Sequence, residues 1–145
     1  MPLILNIDSG TVKLELPDTT VINYKFDYAQ QSDNVAKGHA VLLRLIVTID
    51  VMEVLSLEGS FEENLKIVQE LRDWGECVYT NDNCYEKYYR KVTLKNIFEE
   101  EEIRSLELSH ALVDKSTESI DPLKGKHTIR LELLQKGDKH RYVTG

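Results

Sequence analysis

One segment of this chain has the periodicity of a helix, whereas most of the remainder alternates apolar and polar residues with a period of two. The segment is GSFEENLKIVQELRDWG, residues 59–75. Ser60 followed by Glu63 has the spacing of a capping box, and Gly75 suits a left-handed residue that ends a helix. The predicted core face of the helix comprises Phe61, Leu65, Val68, Leu71 and Trp74. Because so short a helix is marginal in water, the rest of the chain must supply an apolar surface.

The alternating segments supply that surface as strands. Residues 3–7 and 12–16 flank the turn residues Asp8, Ser9 and Gly10, and therefore predict a hairpin. Further strands are predicted at residues 21–28, 39–51, 85–98, 106–112 and 127–134. The expected fold is mainly β (α+β), a small antiparallel β-barrel or sandwich of about seven strands with one amphipathic helix at residues 60–74 packed on it. Residues 1–145 form one predicted domain, with a flexible tail at 137–145.

Polar stretches separate several of these strands. Residues 29–38 and 114–126 are predicted loops, and the acidic run Glu99–Glu102 is a predicted turn. The strand at 39–51 carries Leu42 and Ile46 on the face opposite its main apolar row. A strand that is apolar on both faces is typical of one covered on both sides. We therefore expect the helix to cover one face and a neighbouring subunit to cover the other.

The charge of the chain excludes several classes of partner. Its formal net charge is −7 and its isoelectric point is about 5.1, which argues against specific nucleic-acid binding and against anionic membranes. The longest apolar run is too short to span a bilayer, and the amino end lacks a secretory signal pattern, so the expected location is cytoplasmic. Cys77 and Cys84 match no zinc or redox motif, which leaves free thiols and a bridge both open.

The sequence carries no recognisable catalytic, cofactor-binding or metal-binding motif. Glu99–Glu102 could hold a cation, but consecutive carboxylates in a turn are more often solvated. His110 could act as a base, but its position between leucines is more typical of a half-buried strand residue. The basic, tyrosine-rich stretch at residues 85–91 could stack bases, but strand packing and an interface fit an acidic chain better. We therefore expect a protein without enzymatic activity, cofactor or metal.

The order of elements resembles a known family. Four strands, a helix ending in Trp74, CYEKYYRKVTLKNIF, an acidic turn, and the closing strands LELSHALVDKS and HTIRLELLQKGDK are similar to the tail-tube superfamily. This superfamily comprises phage tail tubes and the Hcp-like tube proteins of type VI secretion and related contractile injection systems. The chain most resembles the small Gram-positive group often labelled "membrane-associated protease", a label that no motif here supports. The resemblance covers residues 21–139.

The resemblance implies a ring, hexameric in the family, that stacks into a tube and is pushed out when a sheath contracts. Implied partners are other copies of the chain and the sheath and baseplate proteins; the implied location is a particle assembled in the cytoplasm and exported by contraction without a signal peptide. Residues 29–38 correspond in position to a loop that reaches the adjacent subunit. The expected interface residues are Gln30, Gln31, Asp33, Asn34, Leu42 and Ile46. The alternatives are a baseplate or tube-end component, a monomeric β-rich binding or adaptor module, and an enzyme with an unrecognised site.

Overall fold

The computed structural model of the chain describes residues 3–30, 41–76 and 89–135. The strands are β1 (Leu3–Asp8), β2 (Lys13–Pro17), β3 (Val21–Gln30), β4 (Val41–Asp50), β5 (Arg90–Phe98), β6 (Glu101–Asp121) and β7 (Lys126–Gln135). The helices are α1 (Val51–Leu55) and α2 (Phe61–Glu76), and a 3₁₀ turn spans Asp18–Thr20. Within these ranges, seven strands form one antiparallel sheet in the order β2-β1-β5-β6-β7-β4-β3. The mainly-β α+β prediction is therefore confirmed.

The core lies on one face of this sheet. Residues directly opposite each other in an antiparallel pair share a face, and the β4–β7 register pairs Leu45 with Leu133 and Val47 with Leu131. All four are fully buried. The sheet curls, since β3 lies across the end of the β5–β6 hairpin: the guanidinium carbon of Arg104 is 5.8 Å from the Phe26 ring centroid. Alternation in the sequence therefore identifies the core side of β4 and β7 correctly, but not that of β3, where the alternating Ile22 and Tyr24 are 52% and 40% exposed.

Helix α2 begins as the sequence predicts. The Oγ of Ser60 accepts a hydrogen bond from the backbone N–H of Glu63 at 3.1 Å, which satisfies one of the free donors of the first turn. Farther along the helix, Val68, Leu71 and Trp74 are buried, and Leu65 is half-buried.

The prediction fails at the first helical position, where the Phe61 side chain is 57% exposed. The buried side chain in the first turn is instead Asn64, whose Nδ2 donates to the carbonyl oxygens of Leu55 (3.3 Å) and Leu57 (2.8 Å). Those carbonyls belong to the connection between α1 and α2 and need a donor when they are packed against the helix. Phe61 cannot supply one, so a polar residue takes the buried position.

The C-terminal glycine of α2 is also different from the prediction. Gly75 is helical and the helix continues to Glu76, so Gly75 is not a left-handed cap. A Cβ at this position would lie 2.5 Å from the Oγ and 2.8 Å from the Cβ of Ser116 on β6. Gly75 is thus required by the close approach of α2 to the sheet rather than by a turn.

Strand β4 ends one residue earlier than predicted, because Asp50 caps α1. Its Oδ1 accepts from the backbone N–H groups of Met52 (3.0 Å) and Glu53 (3.3 Å). The short helix was not predicted, since Val51 continues the alternating apolar row of the strand and hides the change of period. No helix among the described residues is long and apolar enough to cross a membrane.

The largest correction concerns residues 114–126, predicted to be a loop. They form the second half of β6, the turn at residues 122–125, and the start of β7, with Glu118 opposite Ile129 and Ile120 opposite His127. Residues 114–120 are all exposed. A strand without a buried face has no alternation of apolar and polar residues, so its polar sequence resembles that of a loop. The acidic turn is confirmed at Glu99 and Glu100, which have φ angles of 50° and 67°, whereas Glu101 and Glu102 already belong to β6.

Candidate assembly surfaces

The predicted interface residues lie along the β3–β4 pair or outside the described residues. Gln30 lies at the end of β3, and its backbone pairs with Val41, one rung from the pairing of Ala29 with Leu42. Ile46 is half-buried on the outer face of β4. Gln31, Asp33 and Asn34 lie outside the described residues, as do Cys77, Cys84 and the predicted tail.

The two edges of the sheet are the first candidate surface. Strands β2 and β3 are the terminal strands in the sheet order, and each has one hydrogen-bonded neighbour among the strands described here. An edge strand presents backbone N–H and C=O groups along its outer side, which can pair with another chain. The arrangement therefore leaves two places at which a second polypeptide could extend the sheet.

The second surface is an open groove beside β3, which we call the edge groove. It has a volume of about 420 Å³ and is lined by Leu3, Asp18, Val21, Ile22, Asn23, Tyr24 and Asn96. Leu3 and Val21 are buried at its base, whereas Ile22 is 52% exposed and Tyr24 is 40% exposed. The Nδ2 of Asn96 donates to the Tyr24 hydroxyl at 3.5 Å and so connects β5 with β3. The groove is of mixed polarity, since three apolar side chains lie beside the polar groups of Asp18, Asn23, Tyr24 and Asn96.

The third surface is the outer part of the β6–β7 hairpin, residues 115–128, which we call the arm. Its turn, residues 122–125, is fixed by Asp121, whose Oδ1 accepts from the backbone N–H groups of Leu123 (3.2 Å) and Lys124 (3.3 Å). Gly125 completes the turn with a φ of +64°. At the tip, the side chain of Leu123 is 97% exposed, and that of Ile120 is 65% exposed.

A charged cluster binds the arm to α2. The Nε and Nη2 of Arg72 donate to the two carboxylate oxygens of Glu118 at 3.0 and 2.9 Å, a bidentate geometry. His127 Nε2 lies 2.5 Å from the Oε2 of the same carboxylate. The hydrogen bond from Arg72 lowers the pKa of Glu118 to about 2, with a smaller contribution from His127, although burial opposes the shift. The same contact raises the pKa of Arg72. This cluster fixes the orientation of the arm.

The predicted aromatic and basic stretch contributes to packing where it is described. Arg90 is buried, its Nη2 lies 3.2 Å from the Oε2 of Glu70, and its guanidinium carbon is 5.3 Å from the centroid of the Trp74 ring. Arg90 thereby ties the start of β5 to α2. The polar and aromatic sequence of residues 85–91 does not predict the burial of Arg90, since that burial depends on the position of Trp74 in the fold.

His110 is half-buried and lies among polar neighbours. Its backbone N–H donates to the Oε1 of Gln135 at 3.1 Å, and its Nδ1 lies 3.2 Å from the Oγ of Ser109. Within residues 3–30, 41–76 and 89–135, no group of three His, Cys, Asp or Glu side chains is arranged to hold a metal ion. These contacts are those of a packed strand residue in a hydrogen-bonded network.

Comparison with known proteins gives a likeness in fold. No protein-family model and no curated protein matches the sequence. The solved structure of Hcp1 from Flavobacterium johnsoniae is similar over 100% of both chains, with a TM-score of 0.51 and 12% sequence identity. A mutant Hcp1 protein from the E. coli EAEC 042 pathovar aligns with all of this chain and 98% of its own, with a TM-score of 0.47 and 10% identity. The chain thus shares the fold of F. johnsoniae Hcp1.

Proposed function

We propose that this chain is a non-enzymatic structural protein, a ring- or tube-forming subunit of a phage-tail-like contractile injection system. The observation that carries the proposal is the shared fold with F. johnsoniae Hcp1, which spans the whole of both chains. The sequence motifs at residues 85–98, 106–116 and 127–139 also resemble those of the tail-tube superfamily. The sequence motifs and the fold therefore support the same proposal.

The exposed surfaces support a subunit that neighbours complete. Two sheet edges, a partly apolar groove and an arm with an apolar tip are features of a chain whose contacts continue into other molecules.

A catalytic role would require a pocket with convergent polar groups. A second open groove, between β1, β2 and β5, is lined mainly by polar side chains, among them Asp8, Lys13, Glu15 and Lys91. No catalytic motif in the sequence includes these residues. We assign no catalytic residue and no cofactor.

The proposed partners follow from the assembly. Copies of the chain would form the ring, hexameric as in the tail-tube family, and the rings would stack into a tube that meets sheath and baseplate proteins. The subunit would be assembled in the cytoplasm into a particle and leave the cell by contraction. In this arrangement residues 29–38 reach the next subunit. The proposed interface residues are Gln30, Gln31, Asp33, Asn34, Leu42 and Ile46.

The oligomeric state of the purified chain tests this proposal. Size-exclusion chromatography with light scattering should give a mass several times the 16.7 kDa of one chain. Ile46→Asp should shift the distribution towards the monomer, because a charge would enter the proposed interface on the outer face of β4. Thr93→Asp is the matched control, since Thr93 is half-buried on the outer face of β5 and is outside the proposed interface.

A wild-type protein that stays monomeric up to high concentration would contradict the proposal. That result would favour a monomeric binding or adaptor module. Rings that form but never stack, in the presence of a candidate sheath protein, would favour a tube-end or baseplate component instead. If Ile46→Asp and Thr93→Asp change the fraction of monomer equally, then Ile46 is not a specific interface residue, although the proposal that the chain assembles still stands.

A further inference from the structure

We propose that the tip of the arm of one chain, with Leu123 as its central contact, inserts into the edge groove of a second copy. The inference rests on the proposed function, because it names one contact by which copies of the chain join. It is carried by observations on the described residues: the exposure of Leu123, which leaves the groove of its own chain unfilled, the shape of that groove, and the charges of the two surfaces.

The tip is built to present Leu123. A leucine that is 97% exposed places nearly its whole apolar surface in water, which favours burial against a partner. The backbone around it is already fixed by the two hydrogen bonds to Asp121 and by the left-handed Gly125. The base of the arm is held by the Arg72–Glu118 contact. Because these bonds exist in the isolated chain, little further ordering is needed on binding.

The edge groove offers a surface of matching character. Its apolar part comprises the buried Leu3 and Val21 and the exposed side chain of Ile22, beside the ring of Tyr24. A volume of about 420 Å³ lies in the range of pockets that enclose small ligands, so one leucine side chain fits with room for parts of its neighbours. Insertion of Leu123 would cover apolar surface on both partners at once.

The charges of the two surfaces are complementary. Lys124, directly after Leu123, is exposed at the tip, and Asp18 lies at the margin of the groove. Asp121, the acidic residue beside the tip, already accepts two hydrogen bonds from the backbone of the turn. The chain as a whole carries −7, so two random surfaces would repel each other. A basic tip that meets an acidic margin is therefore a selective pairing.

The tip does not occupy the groove of its own chain, since the side chain of Leu123 is 97% exposed. The groove is therefore open to the tip of another copy. A contact between different surfaces of identical chains is heterologous, and it closes into a ring or propagates as a filament. Either outcome suits a ring- or tube-forming subunit.

Crosslinking between copies tests the inference. Two variants, Leu123→Cys and Ile22→Cys, are made in a background that carries Cys77→Ser and Cys84→Ser, given different tags and assembled together under oxidising conditions. A disulfide needs Cα atoms about 4.4 to 6.8 Å apart, so we expect a mixed dimer that contains both tags. Thr11→Cys, exposed on the β1–β2 turn, replaces Ile22→Cys in the control and should give at least tenfold less product.

A substitution at the tip provides the second measurement. Leu123→Asp should reduce the assembled fraction at least tenfold at a fixed concentration. Met52→Asp should leave it unchanged, since Met52 is an exposed apolar residue on α1 that the proposed contact does not involve. Both variants should keep the thermal midpoint of the isolated chain, because neither side chain is buried.

The failure of this inference can be told from the failure of the proposed function. If the wild-type chain assembles, but Leu123→Asp assembles equally well and no mixed disulfide forms, then the inserted tip is wrong and the structural role stands. A third cysteine variant, Phe61→Cys, tests another exposed apolar position outside the groove. If Leu123→Asp blocks assembly, but Leu123→Cys forms a disulfide with Phe61→Cys rather than with Ile22→Cys, then the tip binds a surface other than the groove. A wild-type chain that is monomeric throughout overturns the proposed function and this contact with it.

Discussion

The two halves of β6 are one continuous strand, yet different interactions hold them. In residues 101–113 the strand contributes Leu106, Leu108 and Ala111 to the buried core. In residues 115–121, beyond the register shift at Val113, the side chains from 115 to 120 are exposed. The first half is stabilised by apolar burial. The second half, in the arm, is stabilised by pairing with β7 and by contacts with α2.

This difference shows that a strand without a core face needs a specific support. In the arm that support is Gly75, which lets α2 approach Ser116, and Arg72, which binds Glu118. Apolar burial is nearly insensitive to pH and salt, whereas a charged contact near the surface depends on both. Residues 101–113 of β6 should therefore stay folded at a low pH or a high salt concentration that loosens the arm.

The largest expected effect separates the two halves directly. Leu108→Ala should lower the free energy of unfolding by about 2 to 5 kcal/mol, because it leaves a cavity at a fully buried position. Ile120→Ala, on the same strand but 65% exposed, is the matched control and should change it by less than about 0.5 kcal/mol. Denaturant unfolding measures both, and similar losses for the two would contradict the comparison.

The next effect tests the close approach of α2 to the arm. Gly75→Ala should destabilise the protein by about 1 to 3 kcal/mol, since the new Cβ would lie 2.5 Å from the Oγ of Ser116. In a Ser116→Gly background the same change should be neutral or should stabilise by up to about 1 kcal/mol, because alanine favours helix. A double-mutant cycle measures this coupling. Equal effects in the two backgrounds would show that Ser116 is not the obstacle.

Substitutions in the acidic turn that precedes β6 should increase the stability of the protein. Glu99 and Glu100 adopt left-handed backbone conformations that L-residues with a long side chain disfavour. Replacing them with Asn and Gly, the pair that suits such a two-residue hairpin turn, should raise the stability by about 1 kcal/mol. A change within error on thermal or denaturant unfolding would mean that the acidic turn carries no strain that matters.

The smallest expected effect is the pH dependence of the arm. The folded pKa of Glu118 is lowered from 4.5 to about 2, so its contribution is fully present above pH 4.5 and is lost as the pH falls towards 2. Solvent screening limits it to about 1 kcal/mol or less. Glu118→Gln should therefore destabilise the protein at pH 6 and have a diminishing effect between pH 4.5 and 2. A constant difference across that range would exclude this contact as the source.

The sequence predicted those parts of the molecule whose side chains are buried in a regular pattern. The alternation of Leu43, Leu45 and Val47 and the helical spacing of Val68 and Leu71 both reflect a single covered face. Such patterns survive in the sequence because apolar burial demands them. The number of strands, the position of α2 and its Ser60 cap were all accessible for that reason.

The parts that were missed depend on contacts between distant residues. The sequence predicts Gly75 as a left-handed residue that ends α2, because only its distance to Ser116 shows that it is a packing residue. The contact of Arg72 with Glu118 joins positions 46 residues apart, and no local pattern records it. The polar sequence of residues 114–126 predicts a loop, because side chains that lie on no buried face do not alternate between apolar and polar. The candidate surfaces were therefore mostly found from the structure.

The central claim, that this chain is a subunit of a ring or tube, is tested most directly by negative-stain electron microscopy of the purified protein. We expect rings of uniform diameter, and stacks of such rings as the concentration is raised. Single particles of the size of one 16.7 kDa chain, with neither rings nor stacks at any concentration, would contradict the claim.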